Sequence, residues 1–169
     1  AGIPITVPLL FSREQYLAAA NAYLRGVEQR IEAGLNPAVA SVASLFVSRW
    51  DVAVGGKVPA KLATRLGIAV AQSAYKAYRE LMDSDRWQRL ANQGARLQRL
   101  LWASTSTKDP KAPDTLYVHQ LGAPFTVNTV PEATLRAFYD HGQAGTAIPA
   151  DGGDSAATMV FATPSGSVG

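Results

Sequence analysis

Cysteine is absent from the sequence, and histidine occurs only twice, as His119 and His141. The absence of cysteine excludes disulfides and thiolate metal sites, and it is compatible with the reducing cytoplasm, where we expect the protein to act. The two histidines lack the spacing of a metal-binding motif. The sequence therefore predicts neither a metal site nor a cofactor.

Long apolar runs and concentrated charge are missing as well. Charged residues interrupt every candidate helix, which argues against a membrane span, and no basic segment precedes an apolar stretch at the N-terminus, so we expect no signal peptide. The 16 basic and 13 acidic residues give a net charge of +3 and are scattered along the chain. Nucleic-acid surfaces instead cluster basic residues with exposed aromatics. We therefore expect neither a membrane nor a nucleic acid among the partners.

Apolar residues are plentiful, at 47% of the 169 residues, while charged residues make up 17%. A chain of this length and composition can bury one hydrophobic core. Apolar stretches alternate with amphipathic helical patterns, which is typical of βαβ units in a parallel α/β fold. The predicted strands lie at residues 3–11, 38–47, the start of 98–108, and 125–127, and the predicted helices cover residues 13–33, 60–81, 86–93, 116–121 and 131–140.

Local signals mark the ends of two predicted helices. Ser12, with Gln15 three residues later, forms a capping box before the first helix, and Gly34 ends that helix. Pro131 is expected at the first position of the helix that Gly142 ends. After that glycine the sequence is rich in small residues and only weakly helical.

Polar residues follow each of the predicted strands. They are Ser12; Ser44 with Arg49; Ser104 to Lys108; and Asn128 with Thr129. The carboxyl ends of parallel strands lie at one edge of a sheet, where ligands bind. In residues 98–108 an apolar run gives way to four hydroxyl residues and Lys108, a combination that suits a phosphate. An ordinary Ser/Thr-rich turn is the alternative, but the other strand ends favour the phosphate site.

Five stretches of the chain, in this order, resemble transaldolase motifs: VPLLFS (7–12), ASVASLFVSRWD (40–51), LLWASTSTKDP (100–110), DTLYV (114–118) and TVNTVPEATL (126–135). The similarity is greatest to the bacterial branch that includes transaldolase domains fused to glucose-phosphate isomerase. The resemblance implies that residues 1–142 form the second half, about strands five to eight, of a TIM (β/α)8 barrel. Residues 143–169 would then be a final helix and a loose tail.

The resemblance also implies which residues bind a sugar phosphate: Thr6, Ser44, Phe46, Arg49, Ser104, Ser106 and Lys108. The Ser44 hydroxyl would contact the sugar, and the Phe46 ring would shape the donor end of the pocket. Arg49 would bind the phosphate through its planar set of donors, with Lys108 and its hydroxyl neighbours on the other side.

Other interpretations of three of these positions stay open. Arg49 is close enough in sequence to form a surface ion pair with Asp51. Ser44 is small enough to be a core residue packed against a helix. Asn128 immediately precedes a helix start, so we expect it to cap or turn the chain rather than contact substrate.

Transaldolases form a Schiff base between a lysine on the fourth barrel strand and a ketose donor, and carboxylates on earlier strands move protons. A chain that begins at the fifth strand lacks these groups, so the resemblance implies no catalytic residue here. Lysines 57, 61, 76 and 111 are expected in loops or on helices, and Lys108 would contact phosphate. Thr6 and Pro8 stand where the family usually has asparagine and threonine, and Pro8 has neither a hydroxyl nor an amide proton.

Two hypotheses follow for the function. The first is a transaldolase of the pentose phosphate pathway, which transfers a dihydroxyacetone unit between sugar phosphates of the fructose 6-phosphate or sedoheptulose 7-phosphate class. Its partner would be the missing first half of the barrel or another subunit, and the isolated chain would be inactive. The alternative is a catalytically silent half-barrel that binds sugar phosphate or serves as an assembly module, which the missing lysine and Pro8 favour.

Overall fold

The fold is an alternation of strands and helices, seen here in a computed structural model that describes residues 2–162. The elements, in chain order, are β1 (Ile5–Leu10), α1 (Arg13–Glu32), β2 (Ser41–Phe46), α2 (Ser48–Val54), a 3-10 turn (Ala60–Leu62), α3 (Leu66–Met82), α4 (Asp85–Asn92), β3 (Gln98–Ala103), α5 (Leu116–Gln120), β4 (Val127–Asn128), α6 (Glu132–His141) and α7 (Ser155–Ala162). Residues 163–169, the end of the predicted final helix and tail at 143–169, lie outside the described residues.

The four strands form one parallel sheet in the order β1-β2-β3-β4. The register aligns β2 and β3 over their whole length, from Ser41 opposite Gln98 to Phe46 opposite Ala103. Their carboxyl ends are therefore level. This sheet confirms the predicted parallel α/β class.

The two faces of the sheet differ in what covers them. Side chains alternate along a strand, so Ala43 and Leu45 of β2 and Leu100 and Trp102 of β3 point to one face, where each is 0% exposed. They pack with Tyr16, Ala20, Tyr75, Tyr78 and other residues of α1 and α3. We call this side the helix-covered face. The opposite side, which carries Thr6, Val42, Ser44 and Arg99, is the open face.

The first helix has the ends that its sequence predicts. The Ser12 hydroxyl accepts a hydrogen bond from the Gln15 amide at 3.2 Å, as an N-cap does. The Gln15 side chain accepts from the amide of Phe11, one residue before the cap, at 2.7 Å. Gly34 has a φ of +66°, so it occupies the left-handed conformation that ends many helices.

Pro8 lies in an irregular part of β1. The pairing with β2 shifts between Val7 and Leu10, and Leu9 has a φ of +62°. A bulge of this kind takes residues out of the regular ladder, so the missing amide proton of Pro8 leaves no gap in it. The predicted first strand is confirmed, with this interruption.

Several element boundaries differ from those predicted. Residues 48–54, where no helix is predicted, form the short helix α2. The predicted helix at 60–81 is a 3-10 turn followed by α3, which begins at Leu66. Pro131 is the N-cap of α6 and not its first helical residue, since its ψ of 148° is extended. The last strand is only two residues long.

The C-terminal segment of the described chain packs onto the rest. Helix α7 lies against α3, where Met159 contacts a cluster formed by Leu62, Leu66 and Val70. The boundary proposed between residues 142 and 143 stays a prediction. Within residues 2–162, no helix has both the length and the apolarity that crossing a membrane requires.

Candidate functional site

The carboxyl ends of β2 and β3 are joined beyond the strands themselves. The Val47 amide donates to the Ala103 carbonyl at 3.0 Å, and the Ser48 amide donates to the Ser104 carbonyl at 3.1 Å. The hydroxyls of Ser48 and Ser104 also lie 2.8 Å apart, in hydrogen-bond distance. Ser48 is fully buried, so its hydroxyl is a fixed partner for Ser104.

Ser104 begins the hydroxyl-rich loop in an uncommon backbone conformation. Its φ of +56° lies in the left-handed region, which residues with a side chain rarely adopt. Strain of this kind persists only where surrounding contacts fix it, and the bonds to Ser48 are such contacts. The turn at Ser104 redirects the chain from β3 into residues 104–115.

The next residue of this loop is tied to β4. Thr105 is 0% exposed, and its hydroxyl donates to the Asn128 side-chain oxygen at 2.8 Å. The Thr129 amide and hydroxyl both donate to the Trp102 carbonyl, each at 3.0 Å. The side chain of Asn128 therefore supports the loop. The sequence predicts instead that it caps or turns the chain. The helix cap, however, is Pro131.

Ser44 and Phe46 project from β2 on the open face. Ser44 is 6% exposed and lies opposite Leu101 in the register, away from the helices, so the interpretation as a helix-packed core residue does not fit its face. Within residues 2–162 its hydroxyl makes no hydrogen bond, which leaves it available to a ligand. The Phe46 ring packs on Phe11 with a centroid distance of 5.7 Å. Trp50 donates from its indole nitrogen to the Phe11 carbonyl at 2.7 Å, which fixes this aromatic corner.

Arg49 does not pair with Asp51. Residues two apart on a helix point to different sides, so Arg49 of α2 is exposed while Asp51 faces α3 and α5. Asp51 accepts from the Gly67 amide at 3.0 Å and from the Tyr117 hydroxyl at 2.5 Å. No residue from 2 to 162 forms a hydrogen bond or ion pair with the Arg49 guanidinium. It is free to bind an anion.

Burial dominates the electrostatics of the Asp51–Tyr117 contact. Desolvation raises the pKa of Asp51, although the hydrogen bonds from Tyr117 and from the amides at the start of α3 oppose that rise. Desolvation also raises the pKa of Tyr117, and the neighbouring carboxylate adds to this effect. The tyrosine therefore remains a hydrogen-bond donor at neutral pH.

Lys108 is an exposed residue and Ser106 a partly buried residue of the same loop. The Lys108 ammonium donates to the Ser106 hydroxyl at 2.5 Å. The loop is closed locally by a bond from the Thr107 hydroxyl to the Pro113 carbonyl at 2.7 Å. A pocket of about 270 Å³ adjoins it, lined by residues that include Asp51, Thr64, Thr107, Lys108, Asp109 and Tyr117. Two carboxylates line this pocket, and their negative charge disfavours an anion there. The more exposed side of Lys108 is therefore the better place for an anion.

Thr6 lies apart from the other predicted site residues. It is exposed on the open face, opposite Val42 in the register. Together with Arg99 and Phe125 it lines a depression of about 760 Å³ that extends to the amino ends of the strands. The structure thus brings together Ser104, Ser106 and Lys108 in one loop, and Ser44, Phe46 and Arg49 along the adjoining β2–α2 segment.

The lysines occupy positions that agree with the sequence prediction. Lys57 lies in a loop, Lys61 in the 3-10 turn, Lys76 on α3, and Lys108 and Lys111 in the loop after β3. Each of these five side chains is exposed. An amine that attacks a carbonyl must lose its proton near neutral pH, and in proteins desolvation is the usual means. None of the five has that environment in the described structure.

A family model described as Transaldolase/Fructose-6-phosphate aldolase matches residues 1–163. The chain belongs to this family. The match includes all of the strands and the loops that follow them, so the polar strand ends described above lie inside the matched region. It agrees with the resemblance carried by the five sequence motifs.

Curated relatives place the same residues within longer proteins. The chain is similar to a transaldolase of Parafrankia sp. (strain EAN1pec), with 51% identity over 150 residues that cover 83% of this chain and 40% of the relative. A transaldolase 2 of Nostoc sp. is 46% identical over 157 residues, covering 83% and 41%. A transaldolase of Neisseria meningitidis serogroup C is 44% identical over 163 residues, covering 96% and 46%. The chain therefore spans less than half the length of these relatives.

Sequence reasoning missed the side chains that support the candidate site. Ser48, Thr105, Asp51 and Tyr117 all lie inside the motifs that carry the family resemblance, but their hydrogen-bond partners are far away in sequence. The partners themselves could not be read from the sequence.

Proposed function

We propose that this chain forms the second half of a transaldolase barrel, about strands five to eight, and supplies the sugar-phosphate side of its active site. The observation that carries the proposal is the set of hydroxyl and cationic side chains at the level carboxyl ends of β2 and β3. In barrels of this type the loops at that end form the active site. A family match over residues 1–163, in a chain shorter than half of its relatives, supports the half-barrel.

The complete protein would transfer a dihydroxyacetone unit between sugar phosphates of the fructose 6-phosphate or sedoheptulose 7-phosphate class. The transfer proceeds through a Schiff base between the donor ketone and a lysine. Because the five lysines described here are exposed, that lysine and the carboxylates that move protons would come from the first half of the barrel. The reaction belongs to the pentose phosphate pathway, and we place it in the cytoplasm.

The residues of this chain would bind and orient the sugar phosphate. Arg49 provides a planar guanidinium that pairs with no group in the described part of the chain, and Lys108 provides a second cation across the β2–β3 boundary. Ser104 and Ser106 would add hydroxyl donors to the phosphate oxygens. Ser44 would contact the sugar beside the Phe46 ring. Thr6 would face the interior of the barrel from the neighbouring strand.

Borohydride trapping tests whether the lysine that forms the Schiff base lies outside this chain. Borohydride reduces a Schiff base to a stable amine, so a lysine that reacts with fructose 6-phosphate becomes permanently modified. We expect the complete native protein to gain one dihydroxyacetone unit outside residues 1–169, and the isolated chain to gain none. A covalent adduct on any lysine of this chain would contradict the proposal.

Substitution of Arg49 tests the phosphate site. We expect Arg49→Ala in the complete protein to weaken binding of inorganic phosphate by roughly 1.5–3 kcal/mol, as for the loss of a hydrogen bond between charged groups. Arg25→Ala, on the exposed side of α1, is the matched control and should leave the affinity unchanged. Calorimetry that finds equal affinities for both variants and the wild type would remove Arg49 from the site.

A silent half-barrel is the second candidate, and two observations favour it. Pro8 lies at a position where it offers neither a hydroxyl nor an amide proton to a ligand. The edge strand β1 exposes the large apolar side chains of Ile5 (57%) and Leu9 (60%), and Ile3, two residues before the strand, is 71% exposed. Such an edge suits assembly with another copy. Phosphate binding without transaldolase activity in the complete native protein, together with self-association by native mass spectrometry, would favour this candidate over the first.

A further inference from the structure

We propose that Asp51 and Tyr117 form a positioning pair that fixes the loop of residues 104–115 against α2, and thereby sets the spacing between Arg49 and Lys108. The proposal rests on the phosphate site of the proposed function, but it concerns residues that the site itself does not use. Neither side chain is needed to contact the ligand. Their role is to determine where two ligand-binding cations lie relative to each other.

One carboxylate connects three elements. Asp51 belongs to α2, its Oδ1 accepts from the Gly67 amide at the start of α3 at 3.0 Å, and its Oδ2 accepts from the Tyr117 hydroxyl of α5 at 2.5 Å. Hydrogen bonds to a charged acceptor are short and stronger than those between neutral groups. Because Tyr117 is only 2% exposed, water does not compete freely for its hydroxyl.

The contact leaves little freedom for the elements that it joins. A Cβ at Gly67 would lie 2.5 Å from the Val47 carbonyl oxygen and 3.0 Å from Asp51 Oδ2, so α3 approaches the end of β2 by its backbone. Arg49 follows Val47 by two residues, and its backbone shares this tightly packed corner. The pair therefore attaches α5 to the most constrained part of the candidate site.

The loop that carries Lys108 depends on its two ends for its placement. At the first end Ser104 is bonded to Ser48, and at the second end α5 is bonded through Tyr117 to Asp51. Between these ends the side chains of residues 106–111 bond only to other residues of the loop, as Lys108 does to Ser106. The second end is also held by the contact of Asp114 with His141 of α6 and by the bond from the Trp102 indole to the Leu121 carbonyl, each at 3.0 Å, but among the described residues only the Tyr117 bond ties it to α2. Loss of that bond would leave the others intact and let the loop shift relative to α2.

Removal of one hydroxyl tests the pair in the complete native protein. Tyr117→Phe keeps the buried ring and deletes only the donor, and Tyr139→Phe deletes a hydroxyl from a side chain that is 93% exposed. We expect Tyr117→Phe to lower the affinity for inorganic phosphate by roughly three- to tenfold and to speed amide hydrogen exchange in residues 104–115. Tyr139→Phe should change neither quantity.

The carboxylate is tested by rescue. Asp51→Ala should reproduce both effects of Tyr117→Phe, and Asp51→Asn should restore most of the wild-type behaviour because its amide can still accept from Gly67 and bond to Tyr117. The double variant Asp51→Ala/Tyr117→Phe should bind phosphate as weakly as the weaker single variant, since both changes remove one contact. Additive losses, or unchanged exchange in residues 104–115 in Tyr117→Phe, would overturn the proposal.

The two proposals fail in different ways. Arg49→Ala should lower phosphate affinity without changing exchange in the loop, because Arg49 binds the ligand and does not position the loop. If the wild-type protein bound no phosphate, the phosphate site would be wrong, and the exchange measurements would still decide whether Asp51 and Tyr117 fix the loop. Should Asp51→Ala fail to fold, Tyr117→Phe alone decides the question.

Discussion

The two faces of the sheet use neighbouring residues of the same strands for different purposes. On the helix-covered face, Leu100 and Trp102 are 0% exposed and packed by α1 and α3. On the open face, Arg99 of the same strand is exposed, and Leu101 is only partly buried. Parallel sheets are normally covered on both faces. The difference agrees with the proposed half-barrel, in which the helix-covered layer lies within this chain and the open face would pack against the other half.

The largest expected effect comes from truncating leucines on the two faces. In the isolated chain, Leu100→Ala should lower the free energy of unfolding by about 2–5 kcal/mol, because it leaves a cavity in a packed core. Leu101→Ala, one residue later on the open face, should cost only about 1 kcal/mol, because the partly buried Leu101 side chain removes less apolar area from water on folding. Urea unfolding of both variants measures the difference.

The same two leucine variants also test whether the two faces of the sheet differ in the complete native protein. In the proposed half-barrel the open face would be interior in the complete native protein, so the cost of Leu101→Ala there should approach that of Leu100→Ala. Equal costs in the isolated chain, or an unchanged cost of Leu101→Ala in the complete protein, would show that the faces do not differ in this way.

A smaller effect is expected from adding one methyl group where α3 meets β2. Gly67→Ala places a Cβ 2.5 Å from the Val47 carbonyl oxygen, so the backbone must shift, at a cost of about 1–3 kcal/mol. Gly26→Ala is the matched control, because it lies in the middle of α1 with no neighbour within 4 Å of the added methyl. There alanine should stabilise by roughly 0.5–1 kcal/mol. The sign of the change in unfolding midpoint separates the two sites.

The smallest effect contrasts two arginines. Arg86, behind the helix-covered face, binds Glu28 through two bonds of 2.7 Å and 2.8 Å, whereas Arg99 on the open face has no ion pair within residues 2–162. Arg86→Gln should cost about 1 kcal/mol, since the pair is partly exposed, and Arg99→Gln should stay within about 0.5 kcal/mol. Chemical denaturation at neutral pH measures both.

The pH dependence of stability checks the same ion pair. The hydrogen bonds from Arg86 hold the pKa of Glu28 below its ordinary value. Its contribution to stability is therefore present above the unfolded-state pKa and is lost as the pH falls through the folded-state pKa. Arg86→Gln should flatten this acid-side loss, while Arg99→Gln should leave it as in the wild type. If the free energy of unfolding fell equally with decreasing pH in the wild type, Arg86→Gln and Arg99→Gln, the contribution assigned to the ion pair between Arg86 and Glu28 would be contradicted.

The features that could be predicted from sequence are those with local causes. Ser12 and Gly34 mark the ends of α1 because a cap and a left-handed glycine act within a few residues. The apolar run before Ser104 marks β3 for a similar reason. Helix α2 was missed because its residues are few and carry no side-chain cap, so tertiary packing against α3 decides its conformation.

The candidate site was predictable only in part, again for a physical reason. The order of parallel strands brings their carboxyl ends together, so the placement of Arg49 and Lys108 near one edge follows from the fold class. The support beneath them does not, because the contact between Asp51 and Tyr117 joins residues 66 positions apart. Thr6 shows the same limit, since its place beside Arg99 and Phe125 depends on the register and on the depression they line.

The bulge in β1 also restricts how the protein can associate. An exposed edge strand is a template on which any extended chain can add, and repeated addition leads to fibres. Here the regular pairing of β1 is interrupted after Val7, and Pro8 offers no amide proton. An added extended strand would have too few regular backbone hydrogen-bonding positions along β1 to pair stably. A partner whose surface matches the bulge does not need those positions. The bulge therefore favours association with a shape-matched partner over pairing with extended chains in general.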